Sequence, residues 1–202
     1  MNPKTFERKD QLMSAALEEF TDKDYEKASL NTIIKHANLS KGVFYYHYPN
    51  KESLYLALLE DAFIKKWQYI KSHTDNVDYH TQDIFDRFIS QAKASVRFAK
   101  EYPQYYKLGR MFLKEKGTPI FGTALKHIKS SDPDVLDEMI KNAYQKGEIN
   151  NQYPINFTVK LMHHLFLEFE SIFFQDMDHD LQDISDILEK YVLFMRHGLT
   201  PK

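Results

Sequence analysis

Between Lys27 and Lys51 the chain carries four lysines, Lys27, Lys35, Lys41 and Lys51, and no aspartate or glutamate. Carboxylates crowd elsewhere, for example at Asp176, Asp178, Asp180, Asp183 and Asp186. A stretch of this composition suits a polyanion. A carboxylate beside a phosphate is repelled, whereas each lysine there can displace a condensed counterion. A solvated face that merely lacks acids gives the same pattern, so charge alone does not decide between the two.

Other chemistries find less support. The absence of cysteine removes disulfides, thiolate metal sites and thiol nucleophiles, and fits a reducing compartment, so a cytoplasmic location is expected. His163 and His164 are adjacent, and on a helix adjacent residues point about 100° apart, so they cannot chelate one ion. With His73, His80 and His127 scattered, no metal site is expected. The six glycines are isolated and form no phosphate loop. No set of titratable groups converges by motif, so no catalytic residue and no cofactor are expected. The charged segment Met1–Asp10 does not read as a secretory signal. No stretch approaches the roughly 18 apolar residues of a membrane span.

The elements that would position the acid-free stretch are helices. Apolar residues recur at helical spacing along all 202 residues, with no sustained period-2 run. The 43% hydrophobic and 28% charged composition is that of an ordinary globular chain. The expected fold is all-α, with about nine helices. A first helix from near Pro3 or Thr5 to Thr21 would bury Leu12, Ala15, Ala16, Leu17 and Phe20. Ser29 caps a short helix through Ile33, Ile34 and Ala37, Asn38 ends it in a left-handed conformation, and Ser40 caps another to about His47. Pro49 stops that helix and Asn50 caps the next, Lys51 to His73. Later helices are expected over Tyr79–Glu101, Pro103–Lys116, Pro119–Lys129, Asp132–Gly147, Ile155–Asp176 and Leu181–His197.

Ser29 to Tyr48 therefore has the layout of a helix-turn-helix. Ile33, Ala37, Leu39, Phe44 and Tyr48 form its inner side. Lys41, Val43, Tyr46 and His47 are left on the outer face of the second short helix.

Ser29-Leu30-Asn31-Thr32-Ile33-Ile34, Ala37-Asn38-Leu39-Ser40-Lys41-Gly42-Val43-Phe44-Tyr45-Tyr46-His47-Tyr48 and Asn50-Lys51-Glu52-Ser53-Leu54 resemble the DNA-binding domain of the TetR/AcrR family of transcriptional regulators. Ala15-Ala16-Leu17 with Phe20 and Tyr25 resembles that family's first helix. The resemblance covers roughly Phe6 to Leu59. Asp24 and Asn38 stand where the family usually has glycine, and both residue types tolerate a left-handed backbone.

Within that frame, the helix N-termini at Ser29 and Ser40 offer N–H groups to phosphate. Gly42 lets backbone approach the duplex. Tyr45 and Tyr46 reach phosphates through their hydroxyls, as the resemblance also implies, although one of them can equally serve the core. Lys51 reads as a backbone clamp. His47 reaches phosphate or a base edge, and Asn31 either base or backbone. Val43 suits a thymine methyl, and Lys41 is the residue able to read guanine.

Residues 1–50 are thus expected to form the DNA-binding domain, and residues 51–202 a helical ligand-binding and dimerisation bundle reached through the helix 51–73. The resemblance implies an effector cavity among the middle helices, with Trp67, Phe88, Phe98, Tyr105, Phe112, Phe121, Phe166 and Phe169 as candidate walls for an apolar or aromatic ligand. It also implies a homodimer built on the last two helices, with Leu161, Leu165, Ile172, Ile184, Leu188, Tyr191 and Met195 as the candidate interface. A ligand-released repressor on a palindromic operator follows. The alternative is an all-helical small-molecule-binding protein or enzyme without DNA function.

Overall fold

A computed structural model of the chain describes residues 3–75, 77–131, 135–173 and 181–199. Regular structure among the described residues is entirely helical. The elements are α1 (Pro3–Asp22), α2 (Leu30–His36), α3 (Lys41–His47), α4 (Lys51–Thr74), α5 (Val77–Thr81), α6 (Ile84–Glu101), α7 (Pro103–Lys114), α8 (Pro119–Ser131), α9 (Val135–Gln145), α10 (Ile155–Phe173) and α11 (Leu181–Leu199). The expected Asp132-Pro133 start of α9 lies outside the described residues, as does the expected end of α10 at Asp176.

Leu12, Ala15, Ala16 and Phe20 fall on one face of α1 by helical spacing, and all four are buried. They share a core with Ile33, Ile34, Ala37, Phe44, Tyr48, Leu54, Tyr55 and Leu58, and also with Leu108 of α7 and Ile120 and Ala124 of α8. The chain accordingly divides into two compact units, Met1–Trp67 with Tyr102–Asp132, and Gln68–Glu101 with Pro133–Lys202. That division differs from the functional boundary expected at residue 50, because the apolar sides of α7 and α8 close the core of the first unit.

Glu115, at the C-terminal end of α7, ties the first unit together over a long stretch of sequence. Only 6% exposed, it accepts the Tyr25 backbone N–H on Oε1 at 2.7 Å, and its Oε2 lies 3.4 Å from the Thr118 hydroxyl. The Tyr25 ring packs against Tyr55, 5.0 Å between centroids, and Tyr55 against Phe20 at 4.7 Å. Burial pushes the Tyr55 phenol well above its ordinary range, so the ring stays neutral. Removing the carboxylate strands the Tyr25 N–H. Glu115→Ala is expected to lower unfolding free energy by about 1–2 kcal/mol, and Glu115→Gln, whose amide oxygen still accepts, by clearly less. Urea denaturation of the two variants checks this, and equal losses would contradict it.

In the second unit α6 packs on α11 and α10 on α9. The single helix expected over Tyr79–Glu101 is two helices. Asp83 caps α6, its Oδ1 accepting the N–H groups of Phe85 at 2.9 Å and Asp86 at 3.0 Å. Arg196 of α11 pairs with both Asp83 and Asp86, holding that cap in place. Gly147 ends the segment after α9 with φ 76°, a left-handed conformation suited to glycine.

Candidate nucleic-acid interface

The turn between α2 and α3 is made by backbone chemistry that the sequence dictates. Asn38 adopts φ 53°, and the Asn38 and Leu39 N–H groups bond back to Lys35 and Ile34 carbonyls at 3.0 and 3.1 Å. Ser40 follows in an extended conformation, and its Oγ accepts the Val43 N–H at 3.3 Å. Ser29 caps α2 in the same way, accepting from Thr32 at 3.3 Å. Asn50 and Ser53 cap α4 reciprocally: Asn50 Oδ1 accepts the Ser53 N–H at 2.8 Å and Ser53 Oγ accepts the Asn50 N–H at 3.3 Å.

These caps fix which face of α3 is free. Phe44 is fully buried and Tyr48 is buried with it. Lys41, Gly42, Tyr45 and Tyr46 are exposed, Tyr46 by 79%, and Val43 and His47 are half-buried. Of the two tyrosines neither belongs to the core: Tyr45 sets its ring edge-on against Phe44 and stays 56% exposed. Tyr46 lies edge-on to His47, 5.0 Å between centroids. Asn31 and Ser40 are exposed and Ser29 is half-buried. A Cβ at Gly42 would meet only Ser40 Oγ, at 3.9 Å, so packing within the chain does not require glycine there.

The four lysines are not equivalent. Lys27 pairs with Asp24 at 2.7 Å. Lys51 turns inward: Nζ donates to the Tyr25 and Ala28 carbonyls at 2.7 and 3.1 Å, lies 3.4 Å from the Glu26 carbonyl, and sits 4.4 Å from the centroid of the Tyr25 ring. An ammonium has three N–H donors, and all three are engaged by the loop between α1 and α2. A phosphate clamp at Lys51 would have to give them up. Lys35 and Lys41 remain exposed, without an ion pair among the described residues. The same loop is held from α1 by Glu19, which accepts the Ser29 N–H at 2.8 Å and pairs with Lys23 at 2.7 Å. Burial works against the Glu19 charge, but the bonds from Lys23 and Ser29 outweigh it and hold the carboxyl below its ordinary value.

One residue of this surface carries no signal within the helix-turn-helix sequence. Arg8 of α1 is exposed and lines a concavity with Ser40, Gly42, Val43, Tyr46 and His47. It stands far from α3 along the chain, and only the crossing of the helices brings it there.

The aromatic residues expected to wall one cavity are divided between the units. Trp67, Tyr105, Phe112 and Phe121 belong to the first, where Phe112 stacks on Phe121 at 4.8 Å. Phe88, Phe98 and Phe169 are core residues of the second. The side chain of Phe166 lies outside the described residues. Within the expected interface stripe, Ile184, Tyr191 and Met195 are buried in the single chain, and the Tyr191 hydroxyl donates to the Leu165 carbonyl at 3.2 Å. Leu161, Leu165 and Leu188 are half-buried and Ile172 is exposed. Among the described residues, the large apolar side chains that α10 and α11 expose are Phe157, Ile172, Phe173, Leu193 and Phe194, the last 75% exposed. Helical spacing alone marks both faces of α11 as apolar at some positions.

The region that holds these helices is similar to known proteins. Residues 12–58 match the family model described as bacterial regulatory proteins, tetR family. Over 136 residues the chain is 29% identical to IcaR, a biofilm operon icaADBC HTH-type negative transcriptional regulator of Staphylococcus epidermidis, covering 66% of this chain and 68% of that one. Over 108 residues it is 28% identical to the HTH-type transcriptional regulator QacR of Staphylococcus aureus, covering 49% and 56%. A crystal structure of a tetR family transcription regulator from Shewanella sp. PV-4 superposes with a TM-score of 0.71 at 17% identity, over 96% of this chain and 99% of that one.

Proposed function

We propose that this chain, whose residues 12–58 match the tetR family model and which is 29% identical to IcaR over 136 residues, is a DNA-binding transcriptional regulator of that family and not an enzyme: a cytoplasmic homodimeric repressor that binds a palindromic operator and is released by a small apolar or aromatic effector. The observation that carries the DNA reading is the division of α3: Phe44 is wholly buried while Lys41, Tyr45 and Tyr46 stand exposed beside half-buried Val43 and His47. Residues 1–50 supply the reading elements and residues 51–202 the effector and dimer functions. A lone helix of this length reads too few base pairs, whereas two copies related by a twofold axis sit about 34–36 Å apart on successive major-groove faces. The exposed apolar residues of α10 and α11, Phe194 foremost, support pairing of two copies. IcaR, a negative regulator, supports the sign of regulation.

The test is selection of duplexes from a random pool and from the chain's own upstream region, with light scattering on the protein and its complex. A selected site with twofold symmetry, bound by two copies with steep salt dependence, is the expected result. Failure to select any duplex, or binding insensitive to salt, overturns it. Substitution of Val43 by Ser or Gln is expected to change which base pairs are selected while non-specific affinity stays within about twofold, since base contacts specify and phosphate contacts position. Unchanged selection would remove Val43 from the reading face.

A further inference from the structure

We propose that Arg8 of α1 completes a seat for one DNA backbone phosphate, together with Ser40, Tyr46 and His47, and that the reading surface therefore extends beyond the helix-turn-helix. This rests on the DNA-binding reading above. The concavity that these residues line with Gly42 and Val43 has the chemistry of an anion site. Arg8, Ser40, Tyr46 and His47 bring to it a guanidinium, two hydroxyls and an imidazole, all able to donate, and no carboxylate lines it among the described residues. Gly42 leaves its floor open, because nothing but Ser40 Oγ comes within 4 Å of a Cβ built there. The edge-on contact with Tyr46 holds the His47 ring at its rim.

Charge is what the seat would otherwise lack. Lys27 and Lys51 are committed to Asp24 and to backbone carbonyls, which leaves α3 with Lys41 as its own cation. Arg8 is exposed and makes no ion pair or hydrogen bond to another described residue. A guanidinium keeps its charge at any physiological pH and presents a planar fork that matches a phosphate oxygen pair. A guanidinium without an ion pair among the described residues, set among neutral donors on the face where α3 stands exposed, fits a phosphodiester and not a base edge, since it flanks α3 instead of lying along it.

The experiment compares the intact wild-type protein with Arg8→Ala and Arg8→Lys on a duplex selected by the wild type. Affinity is measured over a range of salt, and again on duplexes carrying a single neutral methylphosphonate at each position in turn. Arg8→Ala is expected to weaken binding about tenfold and to reduce the salt slope by about 0.9 per seat, with melting temperature and base preference unchanged. Arg8→Lys restores the slope and only part of the affinity. One methylphosphonate position per half-site is expected to weaken the wild type but not Arg8→Ala. If Arg8→Ala keeps the wild-type slope, or if every neutralised position weakens both proteins equally, the seat does not exist. If the wild type selects no duplex at all, the DNA-binding reading fails and the seat falls with it.

Discussion

Phe44→Ala and Tyr46→Ala, two residues apart on one short helix, are expected to fail in opposite ways. Phe44 is fully buried in the core shared by α1, α2, α4, α7 and α8. Truncating a phenylalanine in such a site loses its transfer free energy and leaves a cavity, about 3–5 kcal/mol together. In a chain of this length that corresponds to a fall in Tm on the order of 10 °C. Tyr46 is 79% exposed and touches His47, so its truncation is expected to change stability by no more than about 0.5 kcal/mol. Its DNA affinity, however, should drop by roughly tenfold. Thermal denaturation and DNA titration of both variants separate the two roles. A Tyr46→Ala protein that melts early but binds normally at low temperature would show that α3 faces the opposite way.

Lys51→Ala is expected to act through the fold. Its ammonium bridges carbonyls of Tyr25 and Ala28 and lies over the Tyr25 ring, at a point where Glu115 also holds the Tyr25 N–H. Hydrogen bonds to a charged donor contribute about 1.5–3 kcal/mol net, and Ala leaves those carbonyls with water alone. A stability loss of about 2 kcal/mol is expected, with weaker DNA binding because the loop that enters α2 is no longer fixed, and with the salt slope unchanged. A lysine that touches phosphate behaves differently: its removal leaves stability intact and reduces the slope by about 0.9. Denaturation and salt titration of the same variant decide between the two roles. Arg8→Ala provides the internal contrast, since Arg8 has no such bonds to lose among the described residues.

Lys27 and Lys51 show why charge counts along a sequence overstate an interface. Four lysines without an intervening acid are four cations by count, but Asp24, three residues before Lys27, pairs with that one. Carbonyls 23 to 26 residues upstream take another. A count of charged side chains from Lys27 onward registers neither Asp24 nor any backbone carbonyl. On α11, likewise, helical spacing does not distinguish Ile184, Tyr191 and Met195, which are buried in the single chain, from Phe194, which is exposed.

What the sequence settled by itself is everything governed by near neighbours. Serine and asparagine caps, the left-handed Asn38, Pro49 and the helical spacing of Leu12, Ala15, Ala16 and Phe20 act within a turn or two of helix, so residue type and position suffice to place α1, α2, α3 and the start of α4. The burial of Phe44 against the exposure of Tyr46 follows from the same periodicity. Tertiary structure decided what depends on groups far apart along the chain: that Glu115 reaches Tyr25 across 90 residues, that α7 and α8 close the core of α1 to α4, and that Arg8 stands beside α3. Such contacts form because burying apolar faces fixes how helices cross. The polar groups that meet at those crossings are set by the crossing geometry, which no local spacing encodes.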